Sequence, residues 1–189
     1  MIKTLVEPPL AAPVSLADVK SHLRFDRADE DDYLAALVLA ATTHVERRCD
    51  IALMTQTWRL FLDDWPCGSI VSLPLRPVRE IAEVRVYDGE GNAVVPPSAS
   101  MVLDPVSDPA RLHVIDKLQP LKPVNGIEID LVAGFGDTAN DVPDTLRRAI
   151  LVLAAFWFEV RGSATDASAL GMEPAGFDRL LAPWRRTRL

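Results

Sequence analysis

The 189 residues include only two cysteines, three histidines and two tyrosines. Cys49 and Cys67 are too few for a disulfide scaffold and read as reduced thiols. Neither belongs to a C-x-x-C pair. His22, His44 and His113 fall in different predicted elements, none in a spacing such as H-E-x-x-H. His44 and Cys49, five apart on one predicted helix, offer poor metal geometry. No serine lies in G-x-S-x-G, so an enzyme would have to assemble its site without a recognisable motif. The expectation is no catalytic residue, no cofactor and no metal.

Long apolar runs are missing as well. The longest, Ala149 to Phe158, is ten residues, about half of what a bilayer span needs. It reads as a buried core helix, with no membrane partner. Met1 to Val14 carries one Lys, one Glu and three prolines, without the apolar stretch of a signal peptide. The expected compartment is the cytoplasm, unless the protein leaves inside something larger. Positive charge is scarce: 20 Lys+Arg against 27 Asp+Glu gives a net charge of −7, which disfavours a general nucleic-acid binder.

What is present suffices for a core, since 49% of residues are hydrophobic and 25% charged. Ser15 and Asp18 form a capping box, and Leu16, Val19 and Leu23 give a short helix its apolar stripe. Acids between Asp26 and Asp32 open a second helix, about Asp31 to Cys49. Its stripe is Leu34, Leu37, Val38, Ala41 and Val45.

From Thr55 the period becomes that of strands. Trp58, Leu60 and Leu62 alternate with Arg59, Phe61 and Asp63. Val71 and Leu73 are followed by Val84 and Val86, and Asp88 to Asn92 forms a turn into Ala93 to Val95. Met101 to Leu103, Arg111 to Val114 and Ile127 to Leu131 complete the strands. Helix resumes after Pro143. Leu146, Ile150, Leu153, Trp157 and Val160 mark one face, and Val152 and Phe156 fill the other. A helix apolar nearly all round is buried on every side, in this chain or against a neighbouring subunit. Gly162 to Gly171 reads as a flexible linker, and Phe177, Leu180 and Leu181 as a last short helix.

The predicted class is α+β: a helical bundle with an inserted small antiparallel β module and a short C-terminal helix and tail. The parts are residues 1–54 (N-terminal helical part), 55–135 (β module), 136–161 (long core helix) and 162–189 (linker and docking tail).

Two motifs invite chemistry. Gly134 to Ala139 fits G-x-G-x-x-A after a strand, but the helix waits until Pro143 and no parallel strand follows. A glycine turn is the better reading. Asp63 and Asp64 point to opposite faces of a strand, while Asp137, Asp141 and Asp144 read as turn and N-cap residues. At the other end Arg179, Trp184, Arg185, Arg186, Arg188 and Leu189 make a compact cationic, aromatic terminus on an acidic protein. Its two readings are a frayed end and a docking peptide, and the charge asymmetry favours docking.

The order of these landmarks resembles the phage head–tail connector (adaptor) family, in the branch that also serves gene transfer agents and prophages. The matching stretches are Val14 to Arg24, the acid cluster, Val45-Glu46-Arg47, Leu53 to Trp58 and Leu73 to Val78. Then come Ala133 to Asp137 with Val142-Pro143, Phe156 to Arg161, Pro174 to Phe177, Leu180-Leu181 and Pro183-Trp184-Arg185. Together they span nearly the whole chain, in order. Trp184 stands where the family more often has Tyr.

The resemblance implies a structural subunit without catalysis, one copy of a ring, usually dodecameric, beneath the portal of a DNA-filled head. Such a ring extends the DNA channel, lets DNA pass without holding it, and presents a surface to stopper or tail proteins. It would assemble in the cytoplasm and end in the particle neck. A C-terminal segment engages the portal in related connectors. That role carries over here to Phe177, Leu180, Leu181, Trp184, Arg185, Arg186, Arg188 and Leu189.

Candidate subunit contacts are Leu37, Phe156 and Trp157, on the helical faces that a ring would bury. A net charge of −7 suits a channel that DNA must not adhere to. The alternatives at this point are a soluble interaction module, a neighbouring stopper protein and a small hydrolase.

Overall fold

The computed structural model of the chain describes residues 2–160 and 173–186. It is α+β, with antiparallel sheets and four α-helices among the described residues. The expected linker Gly162–Gly171 and the terminal Arg188 and Leu189 lie outside the described residues. Two compact units share the chain. One comprises Met1–Leu10 and Thr55–Phe135, the other Ala11–Met54 and Gly136–Leu189.

The helical unit opens on α1 (Leu16–Leu23). The Ser15 hydroxyl accepts the Asp18 amide at 3.1 Å, and the Asp18 carboxylate accepts the Ser15 amide at 2.9 Å. These bonds satisfy donors that a helix start leaves open; the Ser15 hydroxyl, donating to the Asp18 carboxylate at 2.7 Å, and then the Ser15 amide hold that carboxyl below its ordinary value. Helix α2 (Asp31–Cys49) starts on acids and ends on Arg47 and Arg48, as the helix dipole favours. Both helices stop at a left-handed residue, Arg24 and Asp50. Helix α3 (Asp144–Val160) packs against α1, α2 and the short α4 (Phe177–Leu181). The core joins Leu34, Leu37, Val38, Ala41 and Val45 of α2 to Leu146, Ile150, Leu153 and Trp157 of α3, all buried. Val152 and Phe156 on the other side of α3 are half-buried within this chain.

The β unit contains a five-stranded sheet of β1 (Ile2–Glu7), β2 (Gln56–Leu62), β8 (Ile127–Ala133), β4 (Val78–Tyr87) and β5 (Ala93–Val94), in that order. A smaller sheet has the order β3 (Ile70–Ser72), β7 (Arg111–Val114), β6 (Met101–Asp104). In the large sheet Leu60, Ile129 and Val84 lie in one row and are buried. The neighbouring row, on the opposite face, is Arg59, Asp130 and Glu83.

The sequence reading assigns no element to the first ten residues and groups them with the helices. In the structure Ile2–Glu7 is the edge strand of the large sheet, paired with β2. All six residues are exposed, so no alternation of apolar and polar positions marks the strand.

Candidate interaction site

The C-terminal segment, residues 173–186, is held on the helical unit by two kinds of contact. Phe177 is 1% exposed and Leu181 is fully buried, so α4 closes the core beside α3. The Phe177 ring lies 5.9 Å from the His44 ring, which meets Trp157 edge-on at the same distance. Around this apolar plug runs a string of charges. His44 Nε2 lies 2.8 Å from Glu173 Oε1, and Arg48 reaches Glu173 at 3.4 Å and Asp178 at 3.3 Å. Arg185 reaches Asp178 at 3.0 Å, and the Trp184 indole donates to Thr145 Oγ1 at 3.0 Å.

The residues expected to dock on a portal therefore fall into two groups. Phe177 and Leu181 are part of the unit's own core. Leu180, Trp184 and Arg186 are half-buried and Arg185 is exposed. Arg188 and Leu189 lie outside the described residues. Among the expected subunit contacts, Leu37 and Trp157 are each 4% exposed and face the same core, so neither offers surface to a neighbour. Phe156 is half-buried and keeps part of its surface.

The glycine motif resolves as a turn. A side chain at Gly136 would meet the Asp141 carboxyl group at 2.4 Å, so glycine is required by close approach. Asp141 in turn accepts from the Thr138 amide and hydroxyl, both at 2.8 Å. No group of three His, Cys, Asp or Glu among the described residues is placed to hold a metal ion.

Sequence reasoning missed the charged face of the large sheet. Asp130, 6% exposed, accepts from Arg59 Nε at 2.7 Å and Nη2 at 2.8 Å, a bidentate pair. Arg85 adds a bond at 3.2 Å, and it also contacts Glu83. These hydrogen bonds, Arg59's first, hold the Asp130 carboxyl below its ordinary value despite burial. Arg59 and Asp130 stand 71 positions apart, and only the β2–β8 register makes them neighbours. The charges on either strand were visible, but their pairing was not.

No curated protein sequence matches the chain. Residues 13–85 match the family model described as phage gp6-like head-tail connector protein. Three similar solved structures cover the chain completely, and it covers 97% of each of theirs. One is from the virion of a native gene transfer agent particle, 29% identical with a TM-score of 0.82. Another is from the neck of an empty particle computed with C6 symmetry, at 30% and 0.83. The third is from the neck of a native particle computed with C12 symmetry, at 28% and 0.81. With the same fold from end to end and a relative 30% identical over its length, the chain belongs to the phage gp6-like head–tail connector family, and its role is structural.

Proposed function

We propose that the chain is the adaptor subunit of a dodecameric ring beneath the portal of a phage or gene transfer agent particle. The ring extends the DNA channel and links the head to stopper or tail proteins, without catalytic turnover. It assembles in the cytoplasm and resides in the particle neck. The observation that carries this reading is full-length likeness to chains from particle necks, two of them in reconstructions of sixfold and twelvefold symmetry. A closed ring needs unlike patches on the two sides of each subunit, and an acidic chain suits a channel that DNA traverses.

Within this reading the C-terminal segment ties each subunit to the portal. Phe177 and Leu181 anchor the segment to its own helical unit, while Leu180 and Trp184 to Leu189 engage the portal. Phe156 supplies a contact between subunits. The test is co-sedimentation of the purified protein with DNA-filled heads that lack the adaptor, counting bound copies. Saturation at the portal's own copy number is expected, and absence of binding would overturn the reading. Deleting Trp184 to Leu189 should abolish attachment and leave the fold intact. Full occupancy by the truncated chain would sink the tail's role alone.

A further inference from the structure

Helix α2 carries five Asp, Glu and Arg side chains, and three of them are engaged within the chain. Asp31 takes Lys20 at 2.7 Å, Glu46 accepts the Leu53 amide at 2.9 Å, and Arg48 reaches Glu173 and Asp178. Asp32 and Arg47 are exposed, and neither side chain has a hydrogen bond or ion pair among the described residues. They stand about 22 Å apart along the helix, too far to meet within one chain.

Both lie on the one face of α2 that this chain leaves open. Asp32, Ala36, Leu39, Thr43 and Arg47 recur three or four residues apart, opposite the buried Leu34, Leu37, Val38, Ala41 and Val45. Between Asp32 and Glu46 the helix has no Asp, Glu, Lys or Arg, and Leu39 is 69% exposed. Beside this face a cleft of about 460 Å³ is lined by Ala40, Thr43, His44, Arg47, Arg48 and Trp157.

We propose that this face pairs with itself, so that two copies of the free chain meet through an antiparallel α2–α2 contact as a two-fold dimer. The proposal goes beyond the ring reading and does not depend on it.

Charge complementarity names the occupant. Setting Leu39 of each copy beside Ala40 of the other places Ala36 opposite Thr43. The same register brings Asp32 of each copy to Arg47 of the other, one ion pair at either end. A parallel pair would set Asp32 against Asp32 and Arg47 against Arg47, so charge selects the antiparallel sense, which the two helix dipoles also favour. An occupant of one charge sign would satisfy one end of the face and oppose the other. A second α2 supplies a cation and an anion at the required separation and in reversed order. Leu39 of each copy then enters the cleft beside Ala40 and Thr43 of the other.

The contact is isologous, so it joins two copies and stops, whereas a ring closes through unlike patches. Neighbours in a twelvefold ring are turned only slightly from one another, and their α2 helices cannot oppose face to face. The dimer is therefore a state of the protein outside the ring. One helix pair is a small contact, and the association is weak and reversible.

Sedimentation equilibrium of the full-length chain from about 1 µM to about 1 mM should show a monomer passing into a dimer. Asp32→Arg or Arg47→Asp alone should raise the dissociation constant about tenfold, because symmetry turns both end pairs into like charges. The two changes in one chain should restore it. An equal mixture of the two single variants should associate more tightly than either variant alone. Circular dichroism should show the same helix content throughout, since both positions are exposed.

A cross-link fixes the register. In a Cys67→Ser background, one batch carries Ala36→Cys and a second Thr43→Cys. Oxidised together they should give a disulfide-linked pair that neither gives alone, since like positions lie about 10 Å apart along the axis. A monomer at every concentration, or no gain on mixing the charge variants, would overturn the proposal. Single variants that dimerise like wild type but fail to saturate adaptor-lacking heads would assign the face to the particle and overturn it as well. Failure of the wild-type chain to bind heads would remove the ring reading and leave the dimer standing.

Discussion

The two units handle polar groups in opposite ways. In the helical unit charge sits outside: Arg48 and Arg185 hold Asp178 at a surface where Asp178 keeps 58% of its side-chain exposure. The apolar side chains of α4 complete the core beneath. In the β unit a carboxylate is itself nearly buried, with Asp130 at 6% exposure between Arg59 and Arg85. The helical unit should therefore owe its closure to apolar area, and the large sheet should owe part of its stability to an ion cluster. Buried charges without partners are costly, whereas exposed pairs contribute little, so removing single side chains separates the two cases.

The largest effect should come from Phe177→Ala. Removing a fully enclosed ring leaves a cavity, and such truncations cost about 3–5 kcal/mol. Hydrogen exchange should show α2 and α3 amides losing protection by that amount, while β2 and β8 amides keep theirs. Equal loss in β2 and β8 would mean that the two units unfold as one, and the contrast between them would collapse.

Next in size is Asp130→Asn, which keeps shape and one acceptor but takes the bidentate anion from Arg59, leaving it Glu128 at 3.5 Å, and leaves Arg85 with Glu83 and Glu128. A loss of about 2 kcal/mol near neutral pH is expected, the scale of hydrogen bonds to charged groups. The pH dependence has a definite sign. Arg59 holds the folded carboxyl below the ordinary value of 3.8, so the folded state binds this proton less readily than the unfolded state. The stabilisation is complete above that ordinary value and is lost as pH falls through the depressed folded value. Urea midpoints of wild type and variant should therefore converge in acid. A gap that stays constant down to pH 2 would assign the cost to packing instead of charge.

The same contrast explains what could be read from the chain alone. The capping box at Ser15 and Asp18, the stripe from Leu34 to Val45 and the face from Leu146 to Trp157 are local patterns, and each fell where its spacing placed it. The strands of the β module were visible as alternations, down to the turn at Asp88 to Asn92. Their partners were not, because β1 meets β2 across about fifty residues and Arg59 meets Asp130 across 71. Pairing at that distance leaves no periodic trace in either segment.

The candidate docking residues show the same limit. Phe177 and Leu181 were visible as a hydrophobic pair near a basic end. Whether such a pair faces a partner or its own core depends on what α2 and α3 leave open, which spacing along the chain does not encode.

The smallest expected effect is the sharpest test of how the C-terminal segment is held. Asp178 joins Arg48 and Arg185, and all three side chains are at least a third exposed. Two ordered long side chains in water lose in entropy much of what they gain in attraction, and salt screens the remainder. Asp178→Ala should therefore cost less than about 0.5 kcal/mol, and the difference should vanish in molar salt. Phe177→Ala and Asp178→Ala alter adjacent residues of one helix, so any shared change in local helicity cancels between them. If the aspartate variant instead lost as much as the phenylalanine variant, charge would be what seats α4. The segment would then be a salt-released latch, and its hold on the helical unit would weaken at the ionic strengths where the apolar plug should be unmoved.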